Sequence, residues 1–237
     1  GTGDSVPLVA RKRTERLLVT RVADGTRSRR PDELIVEEPL TIQLDGTRVA
    51  TTMRTPGHDF ELAVGFCVTD GLLAGAPVTG VKYCGRESAL ESNFNVVTVE
   101  TGGRAPTPVG RLGPTSSSCG WCGHDQIDDL LARLHPLPHT EPIREEVLVA
   151  IPDRVLHGQG LFSSTGAVHA AAAFDRDGEV VLTREDVGRH NAVDKVIGAL
   201  SLADDLPATG RGLFVSGRAS VEMVQKAWAA GFGALVA

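Results

Sequence analysis

The feature that most limits how this chain can fold is a segment without a hydrophobic pattern near its middle. Residues 101–118, TGGRAPTPVGRLGPTSSS, are rich in Gly, Pro, Ser and Thr and carry few apolar side chains. This composition is typical of a loop or a domain boundary, because it can neither bury one face nor keep a regular ladder of hydrogen bonds. The 237 residues are enough for one large domain or two modest ones. We therefore predict an N-terminal domain over 1–112 and a C-terminal domain over 113–237.

The N-terminal domain is predicted to be mainly β structure with one helix. ERLLVTRV and the two halves of LIVEEPLTIQLDGTRVATTM alternate apolar and polar residues, and Asp45-Gly46 is typical of a hairpin turn. We predict a loop for the intervening ADGTRSRRPDE. HDFELAVGFCVTDGLL changes to a helical pattern that Asp59 can cap. VKYC and FNVVTVET are predicted as two further strands.

The C-terminal domain alternates strands and helices. An amphipathic helix is predicted over 127–134, and GAVHAAAAFD and EVVLT form a hairpin around RDG. DVGRHNAVDKVIGAL is a helix, RGLFVS a strand, ASVEMVQKAWAAG a helix and ALVA the start of another strand. A strand, a helix and a further strand are typical of a parallel crossover, which places a site at the carboxyl ends of the strands. The pattern predicts an α/β fold.

Charge and hydropathy argue against two classes of partner. The net charge is −6 and no stripe of Lys and Arg is present, whereas affinity for nucleic-acid phosphates needs clustered cations. No apolar run approaches the ~20 residues of a membrane span. The start, GTGDSVPLVARKRTE, lacks the apolar region of a secretory signal. We expect a cytoplasmic protein without nucleic-acid or membrane partners.

The pair Cys119 and Cys122, in SSSCGWCGHD, is the strongest chemical signal. It stands where a loop meets a predicted helix, and the partial positive charge of a helix N-terminus favours a thiolate. Three following aspartates oppose this effect, because nearby negative charges raise a thiol pKa. The glycine after each cysteine leaves the backbone flexible. Cys67 and Cys84 stand in apolar or strand contexts that are typical of buried free thiols.

Several uses of this cysteine pair remain open from the residues alone. A structural zinc site usually needs four ligands, and only one pair is present, with His124 as a candidate third ligand. A zinc deaminase needs His-x-Glu before Pro-Cys-x-x-Cys, but His139-Thr140-Glu141 follows the cysteines, and Ser118 replaces the proline. Deamination is therefore rejected. Dithiol exchange stays possible, although its motif normally follows a strand.

Residues 183–195, TREDVGRHNAVDK, concentrate different polar groups where a strand gives way to a helix. Asp186 can cap the helix, and His190 and Asp194, one turn apart, can pair on one face. A solvated helix face with a cap would have a similar composition. The density of different hydrogen-bonding groups directly after a strand favours a ligand-binding edge.

Two other segments can add polar groups to the same edge. FVSGRAS places Ser216 and Arg218 before a helix whose free N–H groups can bind an anion, and Arg218 can make a bidentate phosphate contact. LFSSTGAVHAA adds Phe162, Thr165 and His169. Each signal is weak alone, because Ser-Gly turns and half-buried loop histidines are common. Together they predict one binding site.

Five stretches together resemble the formate dehydrogenase accessory sulfurtransferase family, FdhD. They are HDFELAVGFCVTDGLL, SSSCGWCG, STGAVHAAA, EDVGRHNAVDKVIG and SGRASVEMVQKAWAAG. The resemblance implies a cytoplasmic homodimer that takes sulfur from a cysteine desulfurase and passes it to the molybdenum (or tungsten) bis-guanine-dinucleotide cofactor of formate dehydrogenase. It implies that Cys119 carries the persulfide with help from Cys122, that no metal is resident, and that the C-terminal domain resembles the cytidine-deaminase fold.

The resemblance also suggests which side chains hold the cofactor, or a GDP-like nucleotide that mimics it. Family members continue beyond ALVA into a segment that helps to hold the cofactor, and we expect that segment to be missing here. The rival interpretations are a cofactor-binding chaperone without sulfur transfer and a zinc-stabilised structural module. The predicted cofactor-binding residues are Phe162, Thr165, Asp186, His190, Ser216 and Arg218.

Overall fold

The computed structural model describes residues 11–83, 94–107 and 136–237. Within these ranges it contains ten strands and five helices, arranged as a two-stranded ribbon, two four-stranded sheets and their covering helices. The mixed α/β fold class is confirmed. The predicted boundary between residues 112 and 113 and the predicted helix over 127–134 lie outside the described residues.

The ribbon shows where the sequence pattern was misleading. It pairs β1 (Thr14–Ala23) with β2 (Thr26–Ile35) in antiparallel register. Asp24 and Gly25 form the turn with φ values of 49° and 74°, which is the geometry of a tight hairpin. The predicted loop ADGTRSRRPDE is therefore wrong beyond the turn. Most of β2 is exposed on both faces, so no apolar alternation marks it, and β1 supplies its backbone partners.

The hairpin and the two later strands predicted for the first half form, and they join in one sheet. β3 (Glu38–Leu44) and β4 (Thr47–Arg54) form the hairpin around Asp45-Gly46, and β3 also pairs in parallel with β6 (Val96–Glu100). β5 (Gly80–Tyr83) adds to the other side of β6, which gives the order β4-β3-β6-β5. The inward side chains are aliphatic and buried, among them Leu40, Ile42, Leu44, Val97 and Val99.

Helix α1 (Asp59–Thr69) covers this sheet and buries Leu62, Ala63 and Cys67 against it. The predicted cap is wrong, because Asp59 is the first helical residue and His58 is the N-cap without a side-chain cap bond. The Asp59 carboxylate instead receives a two-point contact from Arg54, at 3.1 and 2.8 Å, and both side chains are fully buried. Removing one member of such a buried ion pair is strongly destabilising, because the other charge is then left unpaired in the interior.

The second sheet has the order β10-β9-β7-β8. β7 pairs antiparallel with both β8 and β9, whereas β9 and β10 are parallel and joined by a helix, as predicted. Two helices that the sequence analysis missed precede β7, and one of them contains a proline. The elements are α2 (Glu145–Leu156), α3 (Gly160–Thr165), β7 (His169–Phe174), β8 (Val180–Asp186), α4 (Arg189–Leu202), β9 (Gly212–Val215), α5 (Val221–Ala229) and β10 (Ala234–Val236).

Both faces of the second sheet are covered, which explains the continuous apolar run HAAAAF in β7. α4 and α5 bury Val193, Val196, Ile197 and Met223 on one face. α2 buries Val147, Ile151 and Val155 on the other. Strands that are buried on both sides lose the polar alternation of a half-exposed strand.

The two sheets are joined through direct contact between α1 and α4. A Cβ atom added to Gly65 would lie 1.8 Å from the carbonyl oxygen of Asp194, and one added to Gly198 would lie 1.8 Å from that of Glu61. Only glycine permits such an approach of two helix backbones. Asn191, Asp194 and Lys195 are buried at this junction, so the alternative of a solvated α4 face does not hold.

An acid-sensitive ion pair also joins the two halves. Arg184 of β8 contacts the Glu61 carboxylate of α1 through Nε at 2.5 Å and through Nη2 at 2.8 Å. Burial alone would raise the pKa of Glu61, but hydrogen bonds from Arg184 and His58, together with their charges, lower it to about 2. Since its pKa is depressed in the folded state, the carboxylate stabilises the fold above the ordinary pKa of 4.5.

We expect Glu61→Gln to flatten the acid limb of the stability curve. The wild-type contribution is lost as the pH falls from about 4.5 towards 2, whereas the amide does not titrate. Melting temperatures measured from about pH 6 to pH 3 should therefore fall more steeply for the wild type than for the variant. The exposed Glu37, changed to Gln, is the control and should keep the wild-type slope. Equal slopes for wild type and Glu61→Gln would contradict this role.

Candidate functional site

Polar side chains meet at one end of the second sheet. The strand pairing aligns the start of β7 with the end of β8, through His169 and Asp186, and with the end of β9, next to Ser216. We call this end the polar edge, defined by His169, Asp186, Ser216 and the residues that directly follow β8 and β9. It includes the carboxyl ends of two strands, as the crossover pattern predicted.

His169 and Ser216 lock the strand ends together. The His169 Nδ1 lies 2.6 Å from the carbonyl oxygen of Ser216. Because a carbonyl oxygen only accepts, Nδ1 is the donor in this contact. The Ser216 hydroxyl accepts the backbone N–H of Ala170 at 2.8 Å. Both predicted polar groups are therefore at the edge, and the hydroxyl oxygen of Ser216 is turned back towards the sheet.

Gly217 brings the turn after β9 onto the start of α4. A Cβ atom added there would lie 3.3 Å from Cδ of Arg189 and 3.7 Å from Cε1 of His169. A side chain at this position would press on Arg189 and lie in ordinary contact with His169. Arg218, the next residue, is exposed, so its side chain is open to a ligand from solvent.

Three buried polar atoms near this turn have no hydrogen-bond partner among the described residues. They are Nε of Arg189, Nδ1 of His190 and Oγ of Ser220. His190 and the start of α5 are neighbours, because its Nε2 lies 3.9 Å from a carboxylate oxygen of Glu222. Buried polar groups are normally satisfied, so a group of orphaned atoms marks a place where a ligand can supply the missing bonds.

His190 is uncharged at neutral pH. Burial, followed by the positive charges of Lys226 and Arg189, lowers its pKa to about 4, and Glu222 only partly opposes this effect. A neutral imidazole has one donor and one acceptor, which suits a hydrogen bond to a base or hydroxyl better than a charge contact with phosphate.

The predicted pairing of His190 with Asp194 is wrong. Asp194 lies on the face of α4 that is buried against α1 and α5, where its carboxylate contacts Lys226 at 2.8 Å and accepts the Thr69 hydroxyl at 2.9 Å. The sequence analysis missed both partners, because they come from other helices and no local spacing rule connects them.

Asp186 is the fully buried member of the polar edge. Its Oδ2 pairs with Lys195 at 2.6 Å and accepts the backbone N–H of Thr55 at 3.1 Å. Its Oδ1 accepts the N–H of Gly188 at 2.9 Å and the amide of Asn191 at 3.0 Å. The predicted capping role is wrong, since Gly188 is the N-cap of α4. Contact with a nucleotide stays a prediction, and both carboxylate oxygens already have partners.

Helix α3 presents two predicted site residues and is held by a residue that the sequence analysis did not single out. The buried Glu185 accepts the backbone N–H groups of Leu161 and Phe162, at 3.0 and 2.8 Å, one on each carboxylate oxygen. The Phe162 ring is 41% exposed, which leaves it available for stacking. The Thr165 hydroxyl donates to the carbonyl of Leu161 at 2.7 Å within the helix.

We expect Glu185→Gln to loosen α3 without unfolding the protein. The amide offers one oxygen in place of two and turns an NH₂ group towards a backbone donor, which costs about 1–3 kcal/mol locally. Hydrogen exchange of the Leu161 and Phe162 amides should accelerate by about 10-fold or more. Glu179→Gln, on an 83% exposed side chain of the same hairpin, is the control. Unchanged exchange in Glu185→Gln would show that the carboxylate does not anchor α3.

The predicted sulfur-carrying residues Cys119 and Cys122 lie outside the described residues, as do His124 and Cys84. In the described ranges, no group of three or more His, Cys, Asp and Glu side chains is arranged to hold a metal ion. No helix in those ranges is both long enough and apolar enough to cross a membrane.

Comparison with solved structures defines the fold class. A crystal structure from Desulfotalea psychrophila, assigned as a formate dehydrogenase accessory protein, superimposes with a TM-score of 0.74 at 20% sequence identity. The match covers 94% of this chain and 83% of that chain. The arrangement of two sheets around joined helices is therefore the fold of that accessory protein.

Sequence comparison identifies the family. The model of the FdhD/NarQ family matches residues 35–237, and the chain belongs to this family. A relative from Streptomyces coelicolor, named sulfur carrier protein FdhD, is 47% identical, with 94% of this chain and 82% of the relative covered. A relative of the same name from Mycolicibacterium paratuberculosis is 43% identical, with coverage of 94% and 85%. The resemblance found in the sequence is confirmed.

Proposed function

We propose that this protein is a sulfurtransferase of the persulfide-carrier type that serves formate dehydrogenase. It takes sulfane sulfur from a cysteine desulfurase and delivers it to the molybdenum bis-guanine-dinucleotide cofactor, which it binds transiently as a homodimer in the cytoplasm. The observation that carries the proposal is membership of the FdhD/NarQ family, with relatives named sulfur carrier protein at 43–47% identity, in a chain that keeps SSSCGWCG.

The chemistry needs two thiols and no resident metal. The Cys119 thiolate attacks the terminal sulfur of the desulfurase persulfide, a new S–S bond forms, and the desulfurase thiolate leaves. Cys122 can then attack the inner sulfur of the Cys119 persulfide, which releases the terminal sulfur as sulfide and leaves a Cys119–Cys122 disulfide. The two thiols supply the two electrons, and a dithiol reductant restores them for the next cycle.

The polar edge is the proposed binding place for a guanine nucleotide of the cofactor. Arg218 is exposed and can contact phosphate, Phe162 offers a ring face for stacking, and His190 has a buried nitrogen without a partner. Thr165, Asp186 and Ser216 already use their side chains within the protein. In this proposal they act mainly by shaping the edge and presenting backbone groups.

The intact mass of the protein tests the proposal. After incubation with a cysteine desulfurase and cysteine, the wild type should gain one sulfur atom, and a thiol reductant should remove it. A chaperone without sulfur transfer would bind GDP but gain no mass. A zinc-stabilised module would contain stoichiometric zinc and unfold when a chelator removes it. Either of the last two results, without sulfur gain, would refute the sulfur-carrier assignment.

A further inference from the structure

The ribbon of β1 and β2 is more exposed than the fold requires. Leu18 and Val22 on β1 are 58% and 63% exposed, and every residue of β2 from Thr26 to Asp32 is exposed as well. An isolated two-stranded ribbon is marginally stable in water, since it has no second layer on which to bury apolar side chains. These aliphatic residues therefore contribute little to folding and are available to another surface.

One face of the ribbon carries two distinct rows of side chains. The register pairs Leu18 with Pro31, Thr20 with Arg29 and Val22 with Arg27. Paired residues, and residues two apart on a strand, share a face. Leu18, Thr20 and Val22 thus form a mainly apolar row, and Arg27 and Arg29 form a basic row beside it. We call these residues, with Pro31, the docking face.

The docking face has a charge opposite to that of the whole chain. The docking face carries two arginines and no acidic residue, which gives +2, whereas the whole chain carries −6. A local basic surface on an acidic protein attracts an acidic partner and orients its approach. The aliphatic row would then bury apolar area within a basic rim, which is the arrangement of a protein interface.

The ribbon contacts the helix that carries two of the predicted site residues. β2 packs against α3, the helix that carries Phe162 and Thr165. A protein seated on the ribbon would therefore stand next to the place where the cofactor is proposed to bind. Between the two protein partners of the proposed function, this position favours the one that receives the cofactor.

We propose that the docking face binds the formate dehydrogenase that receives the cofactor, through an acidic surface with an apolar centre. The inference rests on the proposed function for the identity of the partner, and on the ribbon itself for the surface. An arginine-bearing ribbon can also enter a DNA groove. The aliphatic row and the acidic remainder of the chain favour a protein instead.

Binding of the full chain to immobilised, cofactor-free formate dehydrogenase from the same organism tests this surface. Arg27→Glu combined with Arg29→Glu should weaken binding by about 10-fold or more, as should Leu18→Ser combined with Val22→Ser. Binding of the wild type should weaken as salt rises, and the charge-reversed variant should lose that dependence. Arg21→Glu combined with Arg30→Glu makes the same charge change on the opposite face and should stay within about threefold of the wild type.

Four results would overturn the docking face. The first is that the opposite-face control weakens dehydrogenase binding as much as the docking-face variants do. The second is that the docking-face variants lose binding to the desulfurase but keep binding to the dehydrogenase, and the third is that they dissociate a dimer of this chain. The fourth is that the wild type binds duplex DNA as tightly as it binds the dehydrogenase. Sulfur gain at Cys119, measured in every variant, separates this inference from the proposed function. A wild type that gains no sulfur refutes the carrier role, whereas normal loading with unchanged dehydrogenase binding in the variants refutes the docking face alone.

Discussion

Cys119→Ala is expected to abolish sulfur loading and to leave formate dehydrogenase inactive. A persulfide forms only where a thiolate can attack, and alanine has no nucleophile at that position. Intact mass after incubation with a desulfurase and cysteine should show no added sulfur. Formate oxidation in cells that carry only this variant should fall to the level of cells that lack the protein.

Cys67→Ala is the matched control for this change. Cys67 is fully buried in α1, and burial, followed by the charges of Asp70, Asp194 and Asp45, raises the pKa of its thiol to about 12. The thiol is therefore protonated at neutral pH and cannot act as a nucleophile. This control should load sulfur normally, at a cost in stability of about 1 kcal/mol.

Two further results bear on the roles of the cysteine pair. Cys122→Ala should gain sulfur at the wild-type rate but hold it, because the thiol that would attack the inner sulfur is gone. Full loading of Cys119→Ala would contradict the carrier role of Cys119. Normal release from Cys122→Ala would instead remove only the assisting role of Cys122.

Gly65→Ala is expected to destabilise the whole protein by about 3 kcal/mol or more. In the interior of a helix, alanine is normally more favourable than glycine by about 1 kcal/mol, so helix propensity alone would predict that Gly65→Ala raises stability. The added Cβ would lie 1.8 Å from the carbonyl oxygen of Asp194, however, and that oxygen belongs to a helix backbone that cannot turn away. The two helices must separate, and separation also disturbs the buried hydrogen bond from the Thr69 hydroxyl of α1 to the Asp194 carboxylate of α4.

Urea unfolding followed by circular dichroism measures this effect. Gly160→Ala is the control, because a Cβ added at the start of α3 would meet no atom within 4 Å. It should change the free energy of unfolding by less than about 0.5 kcal/mol. A Gly65→Ala variant as stable as the wild type would show that α1 and α4 do not touch through their backbones.

The regular elements of this fold were largely predictable, and the exceptions have physical causes. Asp45-Gly46 indicated a hairpin turn in the sequence, because this residue pair tolerates the positive φ values that such a turn needs. In the structure these φ values are 47° and 83°. β2 was missed although Asp24-Gly25 gave the same signal, since a strand exposed on both faces has no apolar alternation to detect. α2 was missed as well, and Pro152 stands inside it.

The partners of charged side chains were much harder to predict. Local rules pair residues one helical turn apart, and on that basis His190 was assigned to Asp194. In the structure Asp194 bonds Thr69, which is 125 residues away in the sequence. The capping prediction for Asp59 was wrong for a related reason. The rule assigned its carboxylate to backbone N–H groups, but in the structure the buried Arg54 donates to it.

The candidate site was predicted in outline. Phe162, His190 and Arg218 lie at or beside the polar edge with groups that a ligand could use, whereas Ser216 and Asp186 have partners within the protein. Arg189 and Ser220 were not assigned to the site. Only packing can reveal that a polar atom is buried without a partner, and the sequence contains no signal for it.

The paired glycines of α1 and α4 have a consequence for how this family can diverge. Each helix carries a glycine, without a side chain, where the other helix packs against it. A larger residue at either position therefore requires the opposite helix to shift. A hybrid that joins the first sheet of one relative to the second sheet of another should therefore assemble only when both parents space these helices alike. Surface residues of the two halves can change independently, but residues at the contact between α1 and α4 can change only together.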